Sequence, residues 1–349
     1  MFMGYFCISL KVSMQPYKGY LQFTKLLLIF VFLVILAGSI VRATGSGMGC
    51  PDWPTCFGNA VPPTEEYQVH FQANHSYQAG QFIIYNDSLK YAKQSFTSNN
   101  DYNANNWQQY EKNNYAKFNV AQTWIEYINR LVTGLLGFVI IAHIVWSYRL
   151  FWKTKRSIVW WSLSLLLLTG FEAWLGKLVV DTNLAVVKIT LHMLFALLIG
   201  FVAVIILNKL SLEKKVISKP LKWLSTIVFF IVLMQIILGT DVREQIDEIS
   251  IAMSFTGRET WLSHLNNVFD VHRSVAWLAA LLCIILFWLS LPYQSLQRTA
   301  YFTLLSVLAT VAVGLILFSM NLPQAAQPLH LLLSSLLLTA LFAHRLKIS

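Results

Sequence analysis

The chain has 349 residues, of which 56% are hydrophobic and only 12% charged, with a formal net charge of +10. A water-soluble chain carries roughly twice that charged fraction, so the composition excludes a soluble globular protein and points to a polytopic membrane protein. The basic balance alone would suggest nucleic acid; the placement of the charges removes that reading.

In chain order, eight apolar runs are long enough, or nearly so, to cross ~30 Å of hydrocarbon as helices. They lie near 22–41, 125–148, 157–179, 184–208, 221–240, 267–290, 299–320 and 326–344. The first is too long for the apolar core of a cleavable leader and lacks a small-residue cleavage site, so it is expected to be a retained helix. Lys18 and Lys25 stand at the start of segment one, and Arg149, Lys153, Lys155 and Arg156 link segments two and three. Lys209, Lys214, Lys215, Lys219 and Lys222 link four and five, Arg298 precedes seven, and Arg345 and Lys347 close the chain. If the segments alternate, all of these fall on one face, the positive-inside pattern with both termini cytoplasmic. No nucleic-acid partner is expected; the partner surface is lipid.

The stretch 43–124 then lies on the outer face. It is polar, rich in Asn, Gln and Tyr, and longer than a connection needs, so it is either a small folded cap or a partly disordered insert.

The two halves repeat. "GKLVVDTNLAVVKITLH" (Gly176 to His192) and "GLILFSMNLPQAAQPLH" (Gly314 to His330) share Gly, Asn-Leu and Leu-His at identical offsets. "GSIVR" ending segment one matches "GTDVR" ending segment five, and "EYINRL" around Asn129 matches "FDVHRS" around His272. The expected fold is all-α: two pseudo-symmetric four-helix bundles, 1–210 (with the outer loop 43–124) and 211–349, related by an axis along the membrane normal. Segments two, four, six and eight all enter from the outer face. At 1.5 Å rise per residue, Asn129, His192, His272 and His330 sit within about two or three turns of those entries.

His272 and His330 come as a pair on two helices of one bundle. Two facing imidazoles in an apolar four-helix bundle suit a bis-histidine haem, which is flat, mostly apolar and needs axial nitrogen ligands. Zinc is disfavoured, since no third or fourth Cys, His or carboxylate stands at that depth. His143 reads as hydrogen-bonding glue, and His70, His75, His264 and His344 as solvated loop or terminal residues. Arg42 and Arg243 end segments one and five, and Arg130 and Arg273 directly follow the paired positions. Guanidinium groups bind carboxylates bidentately, which suits haem propionates; plain interfacial anchoring is the competing role for each. The halves then diverge. The amino-terminal one has Asn129 where the other has His272, and Glu126 where the other has Phe269, and it alone carries Cys50 and Cys56.

At these residues the chain resembles the haem A synthase family, over nearly all eight segments. The carriers are "VRATGSGMGCPDWPTCFG", "WIEYINRL", "TLHML", "VHR" and "PLH". The resemblance implies an oxidoreductase that converts the C8 methyl of haem O to a formyl group, giving haem A. It implies haem b held by His272 and His330, substrate haem ligated by His192, and a catalytic carboxylate at Glu126. It further implies a redox-active Cys50–Cys56 disulfide on the oxidising side, against which a simple staple is the alternative. The implied partners are haem O, haem O synthase (protohaem farnesyltransferase) and the cytochrome oxidase assembly machinery; the implied location is the bacterial inner membrane. Asn129 departs from the family, which often has histidine there, and a carboxamide is a poor iron ligand. Glu172 inside segment three is a further intramembrane carboxylate, suited to a proton relay or to packing. Cys7 and Cys283 read as unpaired. Two other functions compete. A di-haem electron carrier resembling cytochrome b needs four histidines and no special carboxylate, and a transporter needs broken helices and a polar midplane.

Overall fold

A computed structural model describes residues 2–111, 117–181, 186–211, 213 and 215–349, with side chains of 2–16, 180–181 and 186–188 left out. Asn183 of the repeat and Lys214 of the basic stretch lie outside the described residues, as does the side chain of Cys7. The helices are α1 (Phe2–Ala43), α2 (Val120–Phe151), α3 (Arg156–Asp181), α4 (Val186–Leu210), α5 (Lys219–Ala252), α6 (Asn267–Ser290), α7 (Gln294–Ser319) and α8 (Ala326–Leu346). Each of the eight contains a stretch long and apolar enough to cross a membrane. Helices suit that solvent because every backbone N–H and C=O is satisfied within the segment.

The ends carry local signals. Ser218 caps α5 by accepting from the Leu221 amide, with proline in the first turn, and Asn266 caps α6 by accepting from the Val268 amide. The range of α6 agrees with its apolar run, whereas α5 continues to Ala252, well past the end of its run near 240. The extension is amphipathic: Val242, Ile246 and Ser250 recur at helical spacing and are buried. Val242 and Ile246 join Trp261 and Leu322 in a small cluster.

The chain forms two compact units. The first comprises Met1–Leu36, Leu135–Glu172 and Thr190–Ser349. In it, α5 packs on α6, α6 on α7, α7 on α8 and α8 on α5, closing a four-helix ring around Val228, Val232, Leu286, Leu338 and Leu341. Parts of α1 to α4 share a second core built on Leu27, Val31, Ile140, Ile158, Leu165 and Ile206. His143 is fully buried there, with Thr24 Oγ1 3.1 Å from Nε2 and Tyr20 Oη 3.5 Å from Nδ1, the glue role expected of it. His344 is a correction. It is not a solvated terminal residue but a fully buried one, its Nε2 3.1 Å from Ser290 Oγ and its Nδ1 3.0 Å from Thr299 Oγ1. Cys283 is buried and unpaired, as expected.

The second unit comprises Ala37–Gly134 and Ala173–Ile189. Of the two alternatives for 43–124, the folded one holds for the described residues. Strands β2 (Phe82–Tyr85), β3 (Ser88–Ala92) and β5 (Trp107–Gln109) form an antiparallel sheet, and β1 (Ser76–Tyr77) pairs with β4 (Phe96–Thr97). Asn86 and Asp87 make the two-residue β2–β3 turn with φ of 50° and 54°, a conformation these residue types tolerate. Strand alternation puts Phe82 and Ile84 in one small core with Cys50, Cys56 and Phe57, and Ile83 in another with Tyr77 and Trp107.

Candidate functional site

In the second unit the two most distinctive sequence stretches touch. Thr123, Glu126, Tyr127 and Arg130 recur at spacings of three and four, so they line one face of α2. Gly49 lies so close to that face that a Cβ would fall 2.5 Å from the Gln122 carbonyl oxygen; only glycine fits. Thr123 Oγ1 donates to the Gly49 carbonyl at 2.9 Å, and the Cys50 amide donates to Glu126 Oε2 at 2.7 Å. Arg130 donates through Nη2 to Glu126 Oε1 at 2.5 Å. Its Nη1 donates to the carbonyls of Asp52 at 2.6 Å and Thr55 at 2.9 Å, and Nη2 reaches that of Cys50 at 3.4 Å. Cys50 and Cys56 are joined by a disulfide and are both buried, so the pairing that the resemblance implies is present. Tyr110 and Tyr127 donate to the carbonyls of Pro51 (2.7 Å) and Ala60 (2.6 Å).

Glu126 is therefore a 4% exposed carboxylate with each oxygen bonded, one to a loop amide and one to a guanidinium. A buried charge survives only when paired and hydrogen-bonded in this way. Arg130, expected at a propionate, spends its fork on the loop. Asn129, on the neighbouring face, approaches Gly38: a Cβ there would stand 3.9 Å from Asn129 Oδ1.

In the first unit, the ring α5–α8 brings His272 and His330 together, close enough for their rings to interact electrostatically. Each packs on a glycine of a neighbouring helix. A Cβ at Gly239 would fall 3.3 Å from His272 Cε1, and one at Gly314 3.2 Å from His330 Cε1. Gln235 Nε2 donates to the His272 carbonyl at 3.0 Å. The Gln235 carbonyl lies near the His272 ring and the Thr310 carbonyl near the His330 ring, while Nδ1 of each ring is buried without a full hydrogen bond. Among the described residues no group of three or more His, Cys, Asp or Glu could hold a metal ion. Two neighbouring imidazoles are the donor set that a bis-imidazole haem takes. Of the arginines, Arg243 pairs with Asp247 at 2.7 Å, Arg273 stacks over Phe318 at 4.1 Å from the ring centre, and Arg42 is half-buried in the last turn of α1.

His192, also in the first unit, lies with Nδ1 3.1 Å from Glu172 Oε1, at an angle short of the hydrogen-bond optimum. Glu172 is 8% exposed and its Oε2 has no hydrogen-bond partner. The glycines that cradle the histidines are the residues sequence reasoning missed, although both stand inside the repeated motifs.

Eight membrane-length helices among the described residues, with a partly buried histidine pair in a closed four-helix ring, define a polytopic membrane protein. The COX15-CtaA family, cytochrome oxidase assembly protein, matches residues 22–342, and the chain belongs to it. Similar proteins include one named heme A synthase from Shouchella clausii, 24% identical over 93% of this chain and 95% of that protein. Another of that name, from Rickettsia canadensis, is 22% identical over 90% of this chain and 93% of its own length. A third, from Shewanella oneidensis, is 25% identical over 49% of this chain, a match spanning only 39% of that relative.

Proposed function

We propose that this protein is a haem A synthase, oxidising the C8 methyl of haem O to a formyl group to give haem A for cytochrome oxidase. One observation carries the reading beyond a plain haem carrier: Glu126 is built into the cysteine loop by the Cys50 amide and by Arg130. The repeat-equivalent position holds Phe269, which packs beside Phe318. One half thus has a fixed carboxylate and the other only aromatic packing, as expected when one half modifies a bound molecule and the other supports it.

His272 and His330 would hold haem b, which supplies one-electron transfer when bound. Gly239 and Gly314 leave their rings room and fix their orientation. His192 would hold the iron of the substrate haem O, and Asn129, at the repeat position of His272, would be a weaker ligand than an imidazole. Glu126 is the carboxylate that serves the substrate, fixed in place by Arg130 and the Cys50 amide. Cys50 and Cys56 act through the fold of the loop that carries the Glu126-bound amide. Arg42, Arg243 and Arg273 meet propionates, while Arg130 holds the loop. Haem O comes from a haem O synthase, a protohaem farnesyltransferase, and the product passes to the oxidase assembly machinery. The chain lies in a bacterial inner membrane with both termini cytoplasmic.

Coexpression with a haem O source, followed by pigment extraction, tests this. Wild type is expected to yield haem A, and Glu126→Gln to keep haem b while yielding none. His272→Ala and His330→Ala are each expected to lose the low-spin haem b spectrum. Wild-type haem A from Glu126→Gln, or an unchanged low-spin signal in both histidine variants, sinks the reading.

A further inference from the structure

Glu172 lies within the apolar span of α3, 8% exposed, between Leu165–Leu168 and Trp174–Leu175. A carboxylate in that setting is costly unless something compensates it. Among the described residues its ionic partner is His192, with Nδ1 3.1 Å from Oε1, and its second oxygen is buried without a hydrogen-bond partner. We infer that Glu172 is a positioning residue that holds His192 by Nδ1 and strengthens its Nε2 as the ligand to the substrate iron. The inference rests on the reading of His192 given above.

The argument runs through the two ring nitrogens. A carboxylate beside Nδ1 fixes the proton on that nitrogen, because only an N–H can donate to it. The lone pair is then on Nε2, the atom left to bind a metal. A carboxylate behind a metal-bound imidazole also raises the basicity of the ligand and stops the ring from rotating. A ring made more positive by a cation at Nε2 would offset the buried carboxylate, so ligand binding and burial of Glu172 would reinforce each other.

The repeat supplies an internal comparison. Glu172 stands four residues before Gly176, and Thr310 four before Gly314. At the second position the acceptor facing the histidine is the main-chain carbonyl of Thr310, a neutral group. At the first it is an anionic side chain. The stronger acceptor falls in the half whose other candidate position, Asn129, carries no imidazole. A single histidine that must hold a haem with little help from a second ligand needs to be the better donor of the two.

The test uses full-length protein carrying haem b, titrated with haem O. Glu172→Leu is expected to weaken haem O binding 10- to 100-fold, the usual cost of removing such a partner, and to make the midpoint potential of bound haem O more positive. Glu172→Gln, which keeps a neutral acceptor, is expected to fall between Leu and wild type in both readouts. The haem b spectrum should be unchanged in each variant, which shows that the bundle is intact. Wild-type affinity and potential in Glu172→Leu overturn the inference, as does a potential in Glu172→Gln identical to that of the leucine variant. His192→Ala separates this from the functional reading. If it binds haem O like wild type, the ligand assignment itself fails; if it loses haem O while Glu172→Leu does not, only the role of Glu172 fails.

Discussion

Gly239 and Gly314 offer the sharpest test of the histidine pair, because alanine there pulls two effects in opposite directions. Gly to Ala in a helix interior is worth about 1 kcal/mol in favour of alanine. Against that, the new methyl would lie 3.3 Å from His272 Cε1 or 3.2 Å from His330 Cε1. Carbon atoms prefer about 3.5–4.0 Å, so the ring must give by a few tenths of an ångström. Without haem the ring swings aside and the two effects roughly cancel, leaving thermal stability nearly unchanged. With haem bound the ring is tied to the iron, and the overpacking of about 1–3 kcal/mol falls on affinity. At 1.4 kcal/mol per decade that is about a 5- to 150-fold loss. Haem b content per mole and titration of stripped protein measure it. Gly38→Ala is the control, since its methyl would meet Asn129 Oδ1 at an ordinary 3.9 Å; it should leave haem b untouched. The reasoning fails if Gly239→Ala and Gly314→Ala both keep wild-type haem b affinity and spectrum.

Arg130→Ala should free the loop at Asp52 and Thr55 and leave buried Glu126 without its cation, at a cost of about 3–5 kcal/mol. Arg130→Lys should recover only part of this because an ammonium lacks the fork; protection of the 43–111 region from proteolysis is the readout, and unchanged protection in the alanine variant speaks against the clamp. Cys50→Ser with Cys56→Ser should lower thermal stability by about 2–4 kcal/mol yet keep turnover per folded molecule, since both sulfurs are buried in a loop core. Lost turnover at wild-type stability would instead make the pair a redox relay. Asn129→His should shift bound haem O towards low spin and slow its release, because an imidazole is a far better iron ligand than a carboxamide. An unchanged spin state would show that the side chain at 129 does not reach the iron.

What could be read in advance follows from which groups leave a trace in the side chains. The eight spans were legible because hydrocarbon demands apolar runs of a minimum length, and α6 fits its run from 267 to 290. The end of α5 was not, since beyond Thr240 the burial rests on three residues spaced along one face, Val242, Ile246 and Ser250, among charged neighbours. The strands between 76 and 109 were hidden for a related reason. They are two to five residues long and hold together through aromatic contacts such as Tyr85 on Tyr102, with centroids 3.8 Å apart, which no short periodicity announces. For His344, nearness to the end of the chain suggests exposure, whereas its two nitrogens are bonded inside the bundle.

The candidate site divides in the same way. Histidines, the carboxylate and the cysteines were visible because their chemistry resides in side chains. What Arg130 does was not, because its acceptors are the main-chain carbonyls of Cys50, Asp52 and Thr55, which any residue could supply. Glycine is the reverse case. Gly239 and Gly314 were seen as shared letters of a repeat, but their purpose is an absence, the missing methyl that lets an imidazole lie against the neighbouring helix. The same logic explains why Gly38 is informative although nothing presses on it. It stands to Asn129 as Gly239 stands to His272, with the Cβ contact at 3.9 Å from Asn129 Oδ1 against 3.3 Å from His272 Cε1, so a smaller side chain leaves the looser fit.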